Sequence, residues 1–275
     1  MRNETYEVIR NEGQIQDFLQ KLGIETLELN ESFLVVTAFR SKKMWEDTRK
    51  VLNTRCREMY MTKQLRKNRK GEVVYEDLIN KLYELEVPMR ALTYNAGTSR
   101  EVRMPQEAMV CYISPNPTQE EDVALEHMMS TLEILKSYVK SDDKTDVLRQ
   151  LSHHNKDFKS ERSKNVKKVW FDFDIDIEGE FSESDVAQKI IETVKSCDKL
   201  KNPNGLLVST AGGFHVLMRK GCLQGNPEEV CKLLTENLSG SLYKVKEVDF
   251  KSGGFYVPLP GTLQYGTHDV AFQVY

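Results

Sequence analysis

The sequence predicts an α+β (α/β) protein whose C-terminal part runs strand, helix, strand, strand, helix, strand. Three observations carry that expectation. Residues alternate with a period of two over Val169 to Asp176, the segments that follow switch between helical and strand patterns in a fixed order, and the first half also mixes both patterns. With 39% hydrophobic and 29% charged residues, the 275-residue chain has the composition of an ordinary globular protein large enough for one large or two modest domains.

In order, the first half reads as a helix around Gly13 to Leu22 and a buried strand at Phe33 to Phe39. The basic cluster Arg40, Lys42 and Lys43 follows, then a helical stretch from Trp45 to Leu52 and a strand at Met59 to Gln64. Lys63 to Gly71 is a basic loop or hairpin tip containing Arg66 and Lys67, and Tyr75, Leu78, Ile79, Leu82 and Tyr83 mark another helix. Strands are expected at Met89 to Tyr94 and Met109 to Ser114, the second stopped by Pro115-Asn116-Pro117. Thr118 then reads as the N-cap of a helix with acids in its first turn, whose Met-rich stripe (Leu125, Met128, Met129, Leu132, Leu135) is expected to be core. The polar stretch from Lys140 to Lys168 marks a boundary between an N-terminal α/β module, 1–165, and a second, C-terminal module, 166–275.

The second module is read as strand Val169 to Asp176, helix Ser184 to Val194, strands Gly205 to Ser209 and Phe214 to Arg219, helix Pro227 to Leu238 and strand Tyr243 to Phe250. This is the order of a ferredoxin-like or RRM-like sheet with its helices on one face. The prolines at 258 and 260 demote the following run to an edge or irregular strand, and Ala271 to Tyr275 closes the chain as a short strand.

In the first of those strands, side chains two apart share a face. Asp172, Asp174 and Asp176 therefore project one way while Phe171, Phe173 and Ile175 project the other. Carboxylates lined along a strand repel one another, so a divalent cation between them is the leading reading. An edge strand with a solvated acidic face is the alternative. Asp176, beyond the pair, reads as an outer group. The Gly212-Gly213 turn links the two middle strands and sets Ser209 and His215 near the acidic strand.

The net charge of −3 confines any nucleic-acid surface to local patches, for which Arg40, Lys42, Lys43, Arg66 and Lys67 are the candidates, against a plain solvated reading. Five scattered cysteines without a C-x-x-C pair read as free thiols in a reducing compartment, and the histidines supply no zinc-ligand spacing, so no structural zinc is expected. No apolar leader or membrane-length run is present, which gives an expectation of an intracellular protein without membrane contact.

Three motifs occur in order: Phe171-Asp172-Phe173-Asp174, then Ser209 to His215, then Val248-Asp249 ahead of Pro258-Leu259-Pro260-Gly261-Thr262. Across roughly residues 165 to 265 the chain thereby resembles the catalytic core of the archaeo-eukaryotic primase (primase-polymerase) superfamily. The resemblance implies a template-directed nucleotidyltransferase in which Asp172, Asp174 and Asp249 hold two Mg²⁺ or Mn²⁺ ions. It further implies that Ser209, Gly212, Gly213 and His215 grip a nucleoside triphosphate, with Arg219, Lys220 and Lys251 as secondary phosphate partners. The implied partners are nucleoside triphosphates, single-stranded or primer-template nucleic acid, and a separate helicase or replication protein. Asn116-Pro117 resembles a template-side element of relatives, with Thr118 where some carry arginine. Rival readings are an RRM-like single-strand-binding module without catalysis, and another metal-dependent phosphotransfer enzyme such as a nuclease or cyclase.

Overall fold

The computed structural model describes residues 5–39, 58–89, 91, 93–95, 101–103, 106–140, 145–147, 149, 151, 165–240 and 242–275. The basic cluster Arg40, Lys42 and Lys43, the helix expected at 45–52 and most of the expected boundary segment lie outside them. Within them the fold is α+β, built on two five-stranded antiparallel sheets.

Helix α1 (Glu12–Leu22) starts where the Asn11 side chain accepts from the Gln14 N–H at 3.0 Å. It stops at Gly23, whose left-handed φ of 96° lets its N–H return to the carbonyls of Leu19 and Gln20. Its buried residues, Ile15, Phe18, Leu19 and Leu22, cover the first sheet. That sheet joins β1 (Glu31–Phe39), β2 (Glu58–Leu65) and β5 (Met109–Ile113), with α2 (Glu76–Tyr83) between β2 and β5 in sequence and a small hairpin of β3 (Thr93–Asn95) and β4 (Glu101–Arg103). Of the strand expected over Met89 to Tyr94, the described residues are strand from Thr93 on, and residues 90 and 92 lie outside the described residues.

Two expectations fail around Thr118. Thr118 and Gln119 pair with Ser32 and Glu31 as a short strand, β6, so backbone pairing to β1 takes the place of the expected N-cap and α3 (Glu120–Lys140) begins one residue later. The Met-rich stripe of α3 is not core. Leu125, Met128, Met129, Leu132 and Leu135 are all exposed, and Val123 in its first turn is the helix's one buried residue.

The second sheet comprises β7 (Trp170–Gly179), β8 (Gly205–Thr210), β9 (Gly213–Arg219), β10 (Tyr243–Ser252) and β14 (Phe272–Val274), in the order β10-β7-β9-β8-β14. The acidic strand β7 is interior, not an edge. Helices α4 (Glu183–Ser196) and α5 (Pro227–Leu238) both pack on one face, burying Val186, Ile190, Val230 and Leu234 against Phe171, Phe173, Phe214 and Val216. The opposite face turns toward the first half, and Trp170, Leu206, Val208 and Leu217 share a core with Phe18, Val35 and Ile113. After β10 the chain crosses back: β11 (Val257–Pro258) pairs with β5 in the first sheet, and β12 (Leu263–Gln264) forms a hairpin with β13 (His268–Asp269). The division expected at 165/166 is thus bridged by residues of the second part that complete the first sheet.

Asn116 ties the two parts. It is wholly buried, its Oδ1 accepts from the N–H groups of Val169 (2.9 Å) and Trp170 (2.7 Å), and its Nδ2 donates to the carbonyls of Trp170 (2.9 Å) and Gly253 (2.8 Å). A primary amide offers two donors and two lone pairs, and all four are used. Among the described residues, no helix is long and apolar enough to cross a membrane, and Cys111, Cys197, Cys222 and Cys231 are free thiols.

Removing that amide takes a hydrogen bond from four backbone groups, of which the Val169 N–H keeps the Lys167 carbonyl (2.8 Å) and the Gly253 carbonyl keeps the Phe255 N–H (3.2 Å). Asn116→Ala is expected to lower unfolding free energy by about 3–5 kcal/mol. Urea denaturation measures it, and a loss below about 1 kcal/mol would show that water or neighbouring groups replace the amide.

Candidate functional site

The register of the second sheet decides which side chains meet. Asp174 lies opposite His215 on β9 and opposite Asp249 on β10, while Asp172 lies opposite Leu217 and Lys251. Residues directly opposite in antiparallel strands share a face, so Asp172, Asp174, His215, Asp249 and Lys251 all belong to the face turned toward the first half. The register itself is fixed by Gly213. A Cβ there would sit 1.8 Å from the Ile175 carbonyl oxygen, and its φ of 149° is unfavourable for other residues.

Four of those side chains form one cluster. His215 Nδ1 lies 2.8 Å from Asp172 Oδ2 and 3.5 Å from Asp174 Oδ1, and Lys251 Nζ pairs with Asp174 Oδ2. Asp172 is fully buried, His215 nearly so, and Asp174 remains partly open to solvent. A histidine and a lysine therefore answer the two acids. Asp172 Oδ1 is buried with no hydrogen-bond partner, which in a carboxylate leaves lone pairs unanswered.

Electrostatics follow from this geometry. Burial pushes the Asp172 carboxyl above the usual carboxylate range, against the opposing pull of the His215 charge and hydrogen bond. For His215, burial favours the neutral ring, but the charges of Asp172 and Asp174 and the hydrogen bond to Asp172 outweigh it, and the ring's pKa is raised.

Asp249 faces the same way by register, and its side chain is exposed. Among the described residues no three His, Cys, Asp or Glu side chains are gathered as a ready-made cation site. The donors that are present nevertheless fit a hard divalent ion in kind: Asp172 has a buried, unpartnered carboxylate oxygen, with the solvent-open Asp174 beside it.

Other sequence candidates fall elsewhere. Ser209 lies opposite Phe214 and on the helix-covered face, where its Oγ donates to the Ala271 carbonyl at 3.4 Å and it lines a cavity of about 510 Å³ with Ala187 and Phe272. It does not join His215, because the tight turn places His215 opposite Val208. Arg219 shares the site face but lies four residues along β9, roughly 13 Å away, stacked 4.1 Å over the Trp170 ring; Lys220, beyond it, is exposed. The Gly212 N–H points to Thr210 Oγ1 at 3.4 Å, and the neighbouring Ala211 N–H is taken by Gln264 Oε1 at 2.9 Å. Arg66 and Lys67 line an open cavity of about 820 Å³ together with Lys63, Asn68 and Arg69. Asp176, half-buried, extends the acidic face past the cluster.

Sequence reasoning missed Thr210 and Gln264, which hold the turn. Thr210 was readable in principle, since it alternates with Val208 and so faces the site; Gln264 is brought in by the returning chain and leaves no local signal. Comparison of the chain with protein-family models, with characterised proteins and with solved structures finds no match.

The raised pKa of His215 has a defined sign. Its folded-state value exceeds the unfolded value near 6.5, so the stability it contributes is full below about pH 6.5 and is lost as pH rises through the folded value. NMR titration of the metal-free protein is expected to give a His215 midpoint above 6.5, and Asp172→Asn is expected to lower it. A midpoint that Asp172→Asn leaves in place would show that the carboxylate does not set it.

Proposed function

We propose that this chain is a template-directed nucleotidyltransferase of the primase or primase-polymerase kind, acting on nucleoside triphosphates along a primer-template or single strand. The observation that carries the reading is the cluster of Asp172, Asp174, His215 and Lys251 on three adjacent strands, with one buried carboxylate oxygen left unpartnered. Its supports are the ordered sequence motifs and the placement of all three motif acids on one sheet face.

Under this reading Asp172 and Asp174, with Asp249 across β10, hold Mg²⁺ or Mn²⁺. Such ions supply Lewis-acid activation of a hydroxyl and neutralise charge on a triphosphate. The chain's own groups do the positioning. Asp172 engages His215 Nδ1, which favours the charged ring, and in that form the Nε2–H, without a partner among the described residues, would donate to a phosphate oxygen. Lys251 holds Asp174 in the absence of ligand and offers a second cation to the polyphosphate. Arg66, Lys67 and the basic residues beside them present a groove for a nucleic-acid backbone.

That basic groove also favours the second reading, a single-strand-binding module without catalysis, and one experiment separates the two. Protein is mixed with labelled primer-template, nucleotides and Mg²⁺ or Mn²⁺. Extension or de novo dinucleotide synthesis is expected, lost with chelator and restored by the metal. Asp172→Asn and Asp174→Asn are each expected to reduce it by about 10²-fold or more, and His215→Ala to raise the nucleotide KM. Folded protein that binds the strand yet makes no product under either metal would leave only the binding module.

A further inference from the structure

Helix α3 is a 21-residue element with a single buried side chain, Val123. An isolated helix of that length, about 31 Å, is marginal in water without a face to bury. It has such a face. Leu125, Met128, Leu132, Leu135 and Val139 recur at alternating spacings of three and four, and they are exposed to between 44% for Leu135 and 79% for Val139, with Met129 beside them at 57%. Alternation of three and four is the a/d seam of a coiled coil, narrower than the stripe of a helix laid on a globular core. These six side chains expose on the order of 600 Å² of apolar surface, the upper end of what a monomer leaves open.

The charges flanking the seam identify the occupant. The first turn carries Glu120, Glu121 and Asp122, and the last two turns carry Lys136 and Lys140. An identical helix laid antiparallel sets each acidic end against a basic end and opposes the two helix dipoles. In heptad terms, Leu132 then packs on Met128 of the second copy and Leu125 on its Leu135. Asp122 and Lys136 fall on flanking positions that face each other across the seam, twice by symmetry. Neither Asp122 nor Lys136 makes an ion pair among the described residues. A parallel pairing would set acid on acid.

We propose that α3 is a self-association arm, and that two copies of this chain dimerise through an antiparallel α3 pair. With its flanking residues the seam approaches the roughly 800 Å² per partner of a standard interface.

Sedimentation velocity and light scattering on the full chain, at concentrations up to on the order of 100 µM, test it. The expected species has twice the 31.8 kDa chain mass. Leu132→Glu, at an exposed position, is expected to give a folded monomer with near-wild-type thermal unfolding of the two sheets, losing at most the far-UV signal of α3. Asp122→Lys or Lys136→Asp alone is expected to weaken the dimer about tenfold, and the two combined to restore it. A wild-type monomer throughout that range, as expected if another protein or the chain's own residues cover the stripe, would overturn the proposal. So would a dimer indifferent to Leu132→Glu, or a combined reversal no stronger than its parts.

Discussion

The carboxamide of Asn116 is the constraint on which the site geometry depends. Its four hydrogen bonds grip the start of β7 at Val169 and Trp170 and the residue after β10 at Gly253. Phe171 and Ser252 face each other at that same end of the β7–β10 pair, so both strands are anchored at one point and run outward from it together. Two residues inward from Trp170 comes Asp172, and one inward from Ser252 comes Lys251. A buried side-chain amide from the first part of the chain thereby sets where acids and lysine of the second part begin.

Burying acids on a central strand is unfavourable unless something answers them. Here the answer comes from the flanking strands: His215 from β9 on Asp172, Lys251 from β10 on Asp174. The opposite face of β7 gains from aromatic packing, with Phe171, Phe173 and Phe250 mutually within 5.6 Å between ring centroids. One strand thus joins a dry aromatic layer to a charged layer, and period-two alternation keeps them apart.

That alternation made β7 legible in the sequence, since Asp172, Asp174 and the residues between them announce two faces without any tertiary knowledge. The order of elements from β7 to β10 was legible for the same reason, each segment having one dominant period. Ser209 was misplaced because face assignment across a hairpin depends on the residues held in the turn, and pairing with Phe214 rather than His215 is settled by the fit of Gly213 against Ile175. For α3, periodicity specified a stripe but not what meets it; an apolar face reads the same whether it lies on its own core or projects from it. Thr118 carried two compatible local preferences, cap and strand, and its neighbour Ser32 on β1 decided between them. Locally Asn116 reads as a strand stop between Pro115 and Pro117 and as part of a template-side element; its four backbone hydrogen-bonding groups, 53 to 137 residues distant, cannot be read from local sequence.

The close approach at Gly213 also bears on how such a chain changes over generations. Most surface positions accept substitution, and even the aromatic layer tolerates exchanges that keep its volume. At residue 213 any side chain meets the Ile175 carbonyl and parts β9 from β7, which would separate His215 from both acids in a single step. Drift is therefore blocked there while it proceeds around it. A distant descendant that keeps the acidic strand and its histidine in register is expected to keep this glycine, even after the rest of the two strands has become unrecognisable.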